Sequence, residues 1–313
     1  MILVGGIKVK NKDFLRITDL EPVEIKALAK RAIELKSSLN PKPLLGRNIA
    51  LLFEKPSLRT KLSFDIAVHQ LGGHPVYMGP TEVGIGDRES VSDVAKVLSR
   101  YVDCIIARVN LHSTIEEMGT NASIPVINAL SNVEHPCQTL ADLQTIMEYK
   151  GRLEKLKVAY IGDANNVARS LLLGTVSVGS SFAIASPPEY ALDSTTLKMA
   201  NRIAALNDCQ ISTFTDPLDA ISEADVVYTD VWTSMGQETE KMTRLKQFQG
   251  YTLDPELMSK ANKDAIFMHA MPAHYGEEVI EGMLDQPFSV AFHQAENRLH
   301  SQKALLEHIF ERS

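Results

Sequence analysis

The sequence predicts an α/β protein built from two doubly wound parallel-sheet domains. Three observations carry that reading. Short apolar runs that read as buried strands alternate with longer segments of helical period through both halves of the chain. The alternation pauses at Gly151 and restarts at Lys157. Finally, 313 residues are too many for one small core and fit two domains of roughly 150 each.

In the first half, Pro22 suits the first turn of a helix over 21–38, where Ile25, Leu28, Ala32 and Leu35 share one face. Asn48–Phe53 reads as a buried strand. Ser57 has the side chain of an N-cap for a helix Leu58–Leu71, which Gly72-Gly73 stops. Strands follow at Pro75–Met78, Cys104–Ala107 and Pro125–Asn128. The spacing of Val91, Val94, Leu98 and Tyr101 sets a helix over Ser90–Tyr101. A second long helix begins at Pro136, where a missing N–H costs little, and runs to about Tyr149.

Gly151 ends that helix, which places one domain at 1–150 and the other at 151–313. The second half opens with strand Lys157–Ile161, helix Val167–Val178, strand Phe182–Ala185 and helix Leu192–Leu206. Strand Gln210–Phe214, helix Leu218–Glu223, strands Val226–Thr229 and Ile266–His269, and a last helix from about Ala295 complete it. In such sheets ligands bind beyond the carboxyl ends of the strands, so chemistry belongs in the loops there.

Composition narrows the classes. Hydrophobic residues at 44% and charged residues at 23% are those of an ordinary soluble domain. The 32 basic and 39 acidic residues give a net charge of -7, which argues against nucleic acid or an anionic membrane as the main partner. Cys104, Cys137 and Cys209 lack paired spacing and suggest neither a disulfide framework nor a cysteine zinc site. The apolar start is too short for a signal peptide, and no window approaches ~18 apolar residues, so a cytoplasmic protein is expected.

Five segments have the residue types that chemistry needs. Glu54-Lys55-Pro56-Ser57-Leu58-Arg59-Thr60-Lys61 lies between a strand and a helix, where free backbone N–H groups, two hydroxyls and a guanidinium suit a phosphate. It is not a Walker A loop. A capped helix with solvated charges explains this segment equally well. His135-Pro136-Cys137-Gln138 sets His135 and Gln138 one turn apart. Asp230-Val231-Trp232-Thr233-Ser234-Met235-Gly236 and His269-Ala270-Met271-Pro272 each follow a strand, and Glu296-Asn297-Arg298 opens the last helix. Taken singly, these four read more readily as loop, cap or packing residues. Gly162-Asp163-Ala164 follows a strand as a dinucleotide loop does, but Ala164 and Val167 occupy the glycine positions of GxGxxG, so NAD is not indicated.

In this order, and across essentially the whole chain, the segments resemble the aspartate/ornithine carbamoyltransferase family. The family's Ser-Thr-Arg-Thr-Arg stands here as Ser57-Leu58-Arg59-Thr60-Lys61, and its His-Pro-x-Gln as His135-Pro136-Cys137-Gln138. The ornithine branch's Asp-x-x-x-Ser-Met-Gly is intact at Asp230, Ser234, Met235 and Gly236. The resemblance implies a carbamoyl phosphate-binding first domain with the C-terminal helix packed back on it. It assigns Ser57, Leu58 (through its N–H), Arg59, Thr60, Arg108, His135, Gln138, Ala270, Met271 and Arg298 to carbamoyl phosphate. Among these, Arg59, Arg108, His135 and Ala270 would face the reacting group. Asn166, Asp230, Ser234 and Met235 would hold ornithine in the second domain. The implied reaction gives citrulline and phosphate, with no metal and no cofactor, in a homotrimer or an assembly of trimers.

Three positions depart from the family pattern. The ornithine branch's His-Cys-Leu-Pro is His269-Ala270-Met271-Pro272 here, so no thiol can reach the attacking amine. Weaker acceptor binding, a slower rate or another acceptor such as N-acetylornithine is the expected consequence. Leu58 removes a hydroxyl, and Gly84 stands where ornithine enzymes often carry a Gln that reaches the neighbouring subunit's site. Aspartate and putrescine are disfavoured as acceptors by Ser234-Met235-Gly236. A paralogue that binds carbamoyl phosphate without turnover is the reading from a different class; the retained Arg59, Arg108, His135, Gln138 and Arg298 speak against it.

Overall fold

A computed structural model of the chain describes residues 3–4, 7–8, 13–37, 41–86, 88–234 and 236–311. It divides into two compact units, Met1–Gln144 together with Asn297–Ser313, and Thr145–Glu296. The division falls inside the helix Pro136–Lys150, and Asn297–Ser313 belongs to the first unit.

The first unit holds the short antiparallel pair β1 (Leu3–Val4) and β2 (Ile7–Lys8). Its main sheet contains β3 (Asn48–Phe53), β4 (His74–Met78), β5 (Cys104–Arg108) and β6 (Val126–Leu130). These four are parallel in the order β4-β3-β5-β6. Every residue of β3 after Asn48 is buried, as a strand covered on both faces by helices requires. On one face Val94, Ala95 and Leu98 of helix Val91–Tyr101 join Ile115 and Met118 of helix His112–Asn121 against Ala50, Leu52, Ile105 and Ala107. The helix Leu58–Gln70 begins where its sequence says it should. Ser57 Oγ accepts the Thr60 N–H at 3.3 Å. Gly72, at φ +87°, supplies the left-handed turn that follows.

The helix Ala291–Glu311 starts four residues earlier than its apolar period indicated. Its later residues reach back along the first unit: Lys303 Nζ donates to the Leu35 carbonyl at 3.2 Å. Arg31 forks onto the Glu307 carboxylate at 2.8 and 2.9 Å. A bidentate pair of this kind fixes the mutual orientation of two helices as well as their separation.

The second unit contains β7 (Lys157–Ile161), β8 (Ser181–Ala185), β9 (Ile211–Phe214), β10 (Val226–Thr229) and β11 (Ile266–His269). They are parallel in the order β11-β10-β7-β8-β9. Helix Asn166–Ser177 is buried from Val167 onward except at Arg169, which accounts for its run of apolar and small residues. Trp232, Phe248, Tyr251 and Phe267 dominate one core layer, with Trp232 and Phe248 stacked at 5.2 Å between ring centroids.

Both sheets have a topological switch point, where consecutive strands turn to opposite sides. In the first it lies between β3 and β5, and in the second between β7 and β10. Loops diverging there leave a crevice at the strands' carboxyl ends. Glu54–Thr60 and Arg108 emerge at the first crevice. Gly162–Asn166 and Asp230 emerge at the second.

Candidate active site

In the first unit, two of the predicted residues, Thr60 and Gln138, meet on a third, Arg298. Its Nη1 donates to Gln138 Oε1 at 2.6 Å, and its Nη2 donates to Thr60 Oγ1 at 3.0 Å. Thr60, Gln138 and Arg298 are all almost fully buried. Gln138 is fixed from behind, because its Nε2 donates to buried Asp142 at 2.9 Å. His135, one turn before Gln138, completes the group and is buried too.

The electrostatics show what these residues share. Burial, and then the positive charges of Arg298 and Arg59, lower the Arg108 pKa from its usual 12.5 to about 10. Burial, and then Arg298 and Arg108, hold His135 well below the usual histidine value. Arg59 and Arg298 therefore converge on Arg108, and both disfavour its charge. Arg108 Nε is buried without a hydrogen-bond partner among the described residues. A dianion placed at the start of helix Leu58–Gln70 would relieve both repulsions and meet the helix's free N–H groups. Ser57 Oγ, accepting from Thr60 N, keeps its O–H to donate. The Leu58 side chain is turned to solvent at 70% exposure, so only its backbone is available.

Cys137, between His135 and Gln138, gives its thiol to the Asn128 carbonyl at 3.3 Å. Burial pushes its pKa up to about 12, so it is a packed thiol and not a nucleophile.

The low pKa of His135 carries a pH signature. Above the unfolded value of about 6.5 the ring is neutral folded or unfolded, and nothing is lost. Below it the unfolded chain takes a proton that the folded chain refuses, so stability falls as pH drops toward the folded value. The acid-side loss of melting temperature is therefore expected to be shallower in His135→Gln than in the unaltered protein. Identical slopes between pH 7 and 5 would contradict this assignment.

The second unit gathers a different set. Asp230, buried after β10, accepts from Asn165 Nδ2 at 3.0 Å. Burial raises its pKa, against the lowering effect of that hydrogen bond. Asn165 also caps the helix that starts at Asn166, accepting the Val167 and Ala168 N–H groups at 2.9 and 3.2 Å. Asn166 is thus held half-buried at a helix N-terminus. Ser234 N donates to Gln237 Oε1 at 3.0 Å, which shapes the loop after Trp232. Met235 lies outside the described residues.

Ala270 and Met271 are half-buried in this unit, after β11. His269 holds their backbone. Its Nδ1 accepts the Met271 N–H at 2.8 Å, which leaves the proton on Nε2 to donate to Glu278 Oε1 at 3.1 Å. Met271 sits at φ +58°, a conformation that favours glycine, and that hydrogen bond is what keeps a larger residue there.

Two partners of this site escaped the sequence reading. Asp163 and Arg244 pair at 2.8 Å, and Arg244 also donates to the Trp232 carbonyl at 2.9 Å. Its guanidinium lies 4.6 Å from the Tyr190 ring centroid. Burial raises Asp163 to about 6 even beside this arginine. Residue type alone gave no signal for a pair separated by 81 positions. The other is Gln294, which accepts the His269 N–H at 2.8 Å and donates to Tyr228 at 2.9 Å.

Residues 12–148 match the aspartate/ornithine carbamoyltransferase carbamoyl-P binding domain, and residues 154–309 match the Asp/Orn binding domain. The chain belongs to the aspartate/ornithine carbamoyltransferase family. Within the family it is 46% identical over 310 residues to an ornithine carbamoyltransferase of Anoxybacillus flavithermus, covering 98% of this chain and 99% of that one. Among solved structures, the ornithine carbamoyltransferase of Pyrococcus furiosus superposes with a TM-score of 0.93 at 41% identity, covering 97% of this chain and 99% of the other. The anabolic ornithine carbamoyltransferase of Campylobacter jejuni gives 0.93 at 38% identity, covering 96% and 100%. The protein is a carbamoyltransferase by family, with two parallel sheets flanked by helices.

Proposed function

We propose that the protein moves the carbamoyl group of carbamoyl phosphate onto the side-chain amine of L-ornithine, giving L-citrulline and phosphate. The observation that carries this is the convergence of Arg59, Arg108 and Arg298 with Thr60, His135 and Gln138 at a helix N-terminus. In this reading Ser57, Arg59, Thr60 and the Leu58 N–H hold the phosphate. Thr60, Arg108 and His135 donate to the carbonyl oxygen, and Gln138 and the backbone of Ala270 and Met271 take the carbamoyl NH₂. Asp230, with Asn166, takes the acceptor's α-ammonium, and Ser234 with Met235 takes its carboxylate.

The steps balance without a metal. The neutral side-chain amine attacks the carbamoyl carbon, a C–N bond forms, and charge collects on the carbonyl oxygen. Donors aimed at that oxygen stabilise it. The C–O bond to phosphate then breaks, and the departing phosphate takes the amine proton. Fixing both reactants contributes on the order of 7–11 kcal/mol.

The test is citrulline and phosphate formation from carbamoyl phosphate with ornithine, with N-acetylornithine, aspartate and putrescine run in parallel. Ornithine-dependent turnover is expected. Turnover with another member of the panel, and none with ornithine, would replace the acceptor in this reading. Ala270→Cys, which supplies a thiol beside the amine, is expected to raise kcat/KM for ornithine about 2–10-fold, the worth of one weak hydrogen bond. No gain in that variant would show that the backbone alone serves here.

The proposed assembly is a homotrimer. Its support is an apolar stripe on helix Leu58–Gln70, where Leu58, Leu62 and Ile66 recur every fourth residue at 70%, 50% and 40% exposure. Leu62→Glu with Ile66→Glu is expected to shift the light-scattering mass to that of a single chain.

A further inference from the structure

Beyond β11 the chain turns through His274-Tyr275-Gly276-Glu277-Glu278. His274, Glu277 and Glu278 each offer one ligand atom, and these atoms lie within 4.8 Å of one another. His274 Nδ1 and Glu277 Oε2 are 3.6 Å apart. Ligands about 2.0–2.2 Å from a tetrahedral ion are separated by roughly 3.3–3.6 Å, so this spacing suits an ion between them.

Proximity of acidic groups alone would mean little. What distinguishes this cluster is its unmet hydrogen-bonding atoms. His274 Nδ1, Glu277 Oε2 and Glu278 Oε2 are each buried with no hydrogen-bond partner among the described residues. The other oxygen of each carboxylate is engaged. Glu277 Oε1 pairs with Lys241 Nζ at 2.7 Å. Glu278 Oε1 accepts from His269 Nε2 at 3.1 Å and from the His274 N–H at 2.6 Å. The Glu278 side chain has no exposure at all. A buried carboxylate oxygen without a donor is costly, and here two of them face an imidazole nitrogen that also lacks one. A cation satisfies all three atoms at once.

We infer that His274, Glu277 and Glu278 form a binding site for a divalent transition-metal ion of the zinc class. One imidazole nitrogen with two carboxylate oxygens suits such an ion better than magnesium, which prefers six oxygens. The His274 side chain is 39% exposed, which gives the ion an entry path and a position for water. Lys241 and His269 act from outside the ligand set, orienting one carboxylate each. The ion would fasten Glu278, and through it the His269 ring that holds Met271 N–H.

The test is calorimetric titration of metal-free full-length protein with ZnCl₂, with MgCl₂ as the comparison. Saturable binding of about one zinc per chain is expected, with magnesium at equal concentration failing to compete. His274→Ala and Glu277→Gln are each expected to weaken zinc at least ~10-fold. Cobalt bound to the unaltered protein should show visible absorption of a nitrogen-and-oxygen site, lost in His274→Ala. Glu277→Gln changes no volume, and the cobalt spectrum needs only the unaltered chain, so a folding defect in one variant does not spoil the test. Absence of saturable binding, or zinc affinity unchanged in both variants, overturns the inference.

Discussion

Arg108→Met is expected to lower kcat/KM for carbamoyl phosphate by about 10²–10³-fold, the loss seen when one donor to a developing oxyanion is removed. The same change is expected to make the ligand-free protein more stable. Burial and the charges of Arg298 and Arg59 bring this guanidinium from 12.5 to about 10. Such a shift is a destabilisation of the folded, charged form of about 3 kcal/mol at neutral pH. Methionine keeps most of the stem's packing and removes that term, so a net gain of about 1–3 kcal/mol is anticipated. Added phosphate should raise the melting temperature of the unaltered protein more than that of the variant. A variant that loses activity and stability together would mean that Arg108 is a structural residue.

Asp230→Asn should raise the KM for ornithine by about 30–1,000-fold, equivalent to about 2–4 kcal/mol for a buried charged partner left unmatched. A binding contact present in both ground and transition states moves KM far more than kcat. The raised pKa of Asp230 sets the direction with pH. As pH falls toward that value the pocket gains a proton and loses its charge, so acceptor affinity weakens on the acid side. In Asp230→Asn this component of the pH profile should vanish. A KM within threefold of the unaltered enzyme, at saturating carbamoyl phosphate, would remove Asp230 from the acceptor site.

The legible parts of the fold were those with local causes. β3 is a continuous apolar run, and its bounds at Asn48 and Phe53 are those the sequence indicated. Ser57 was readable as an N-cap because capping needs only one hydroxyl and the backbone three residues on. The helix His112–Asn121 was not readable. Its N-cap is Leu111, which offers no side-chain oxygen, and few of its residues are apolar. The start of helix Ala291–Glu311 was placed late because Gln294, a polar residue, is the one turned inward to His269 and Tyr228. A polar residue serving a buried network breaks the apolar period from which helices are read.

The same division runs through the candidate site. His135 and Gln138 could be paired from spacing alone, since one helical turn separates them. Their meeting with Thr60 and Arg298 joins positions 238 residues apart, which only the family resemblance anticipated. Asp163 with Arg244 had no motif to announce it.

The last helix has a consequence for how the protein is made. Asn297–Ser313 belongs to the unit that begins the chain, so the second unit is an insertion between two parts of the first. On the ribosome, β3 to β6 emerge long before Arg298, Lys303 and Glu307, whose partners Thr60, Leu35 and Arg31 have by then waited through more than two hundred residues of synthesis. The inserted unit can close as soon as its own strands are out, whereas the first cannot. Contacts of such long sequence separation form slowly and last. The anion site is therefore finished only after the second unit has been made, when its third guanidinium arrives.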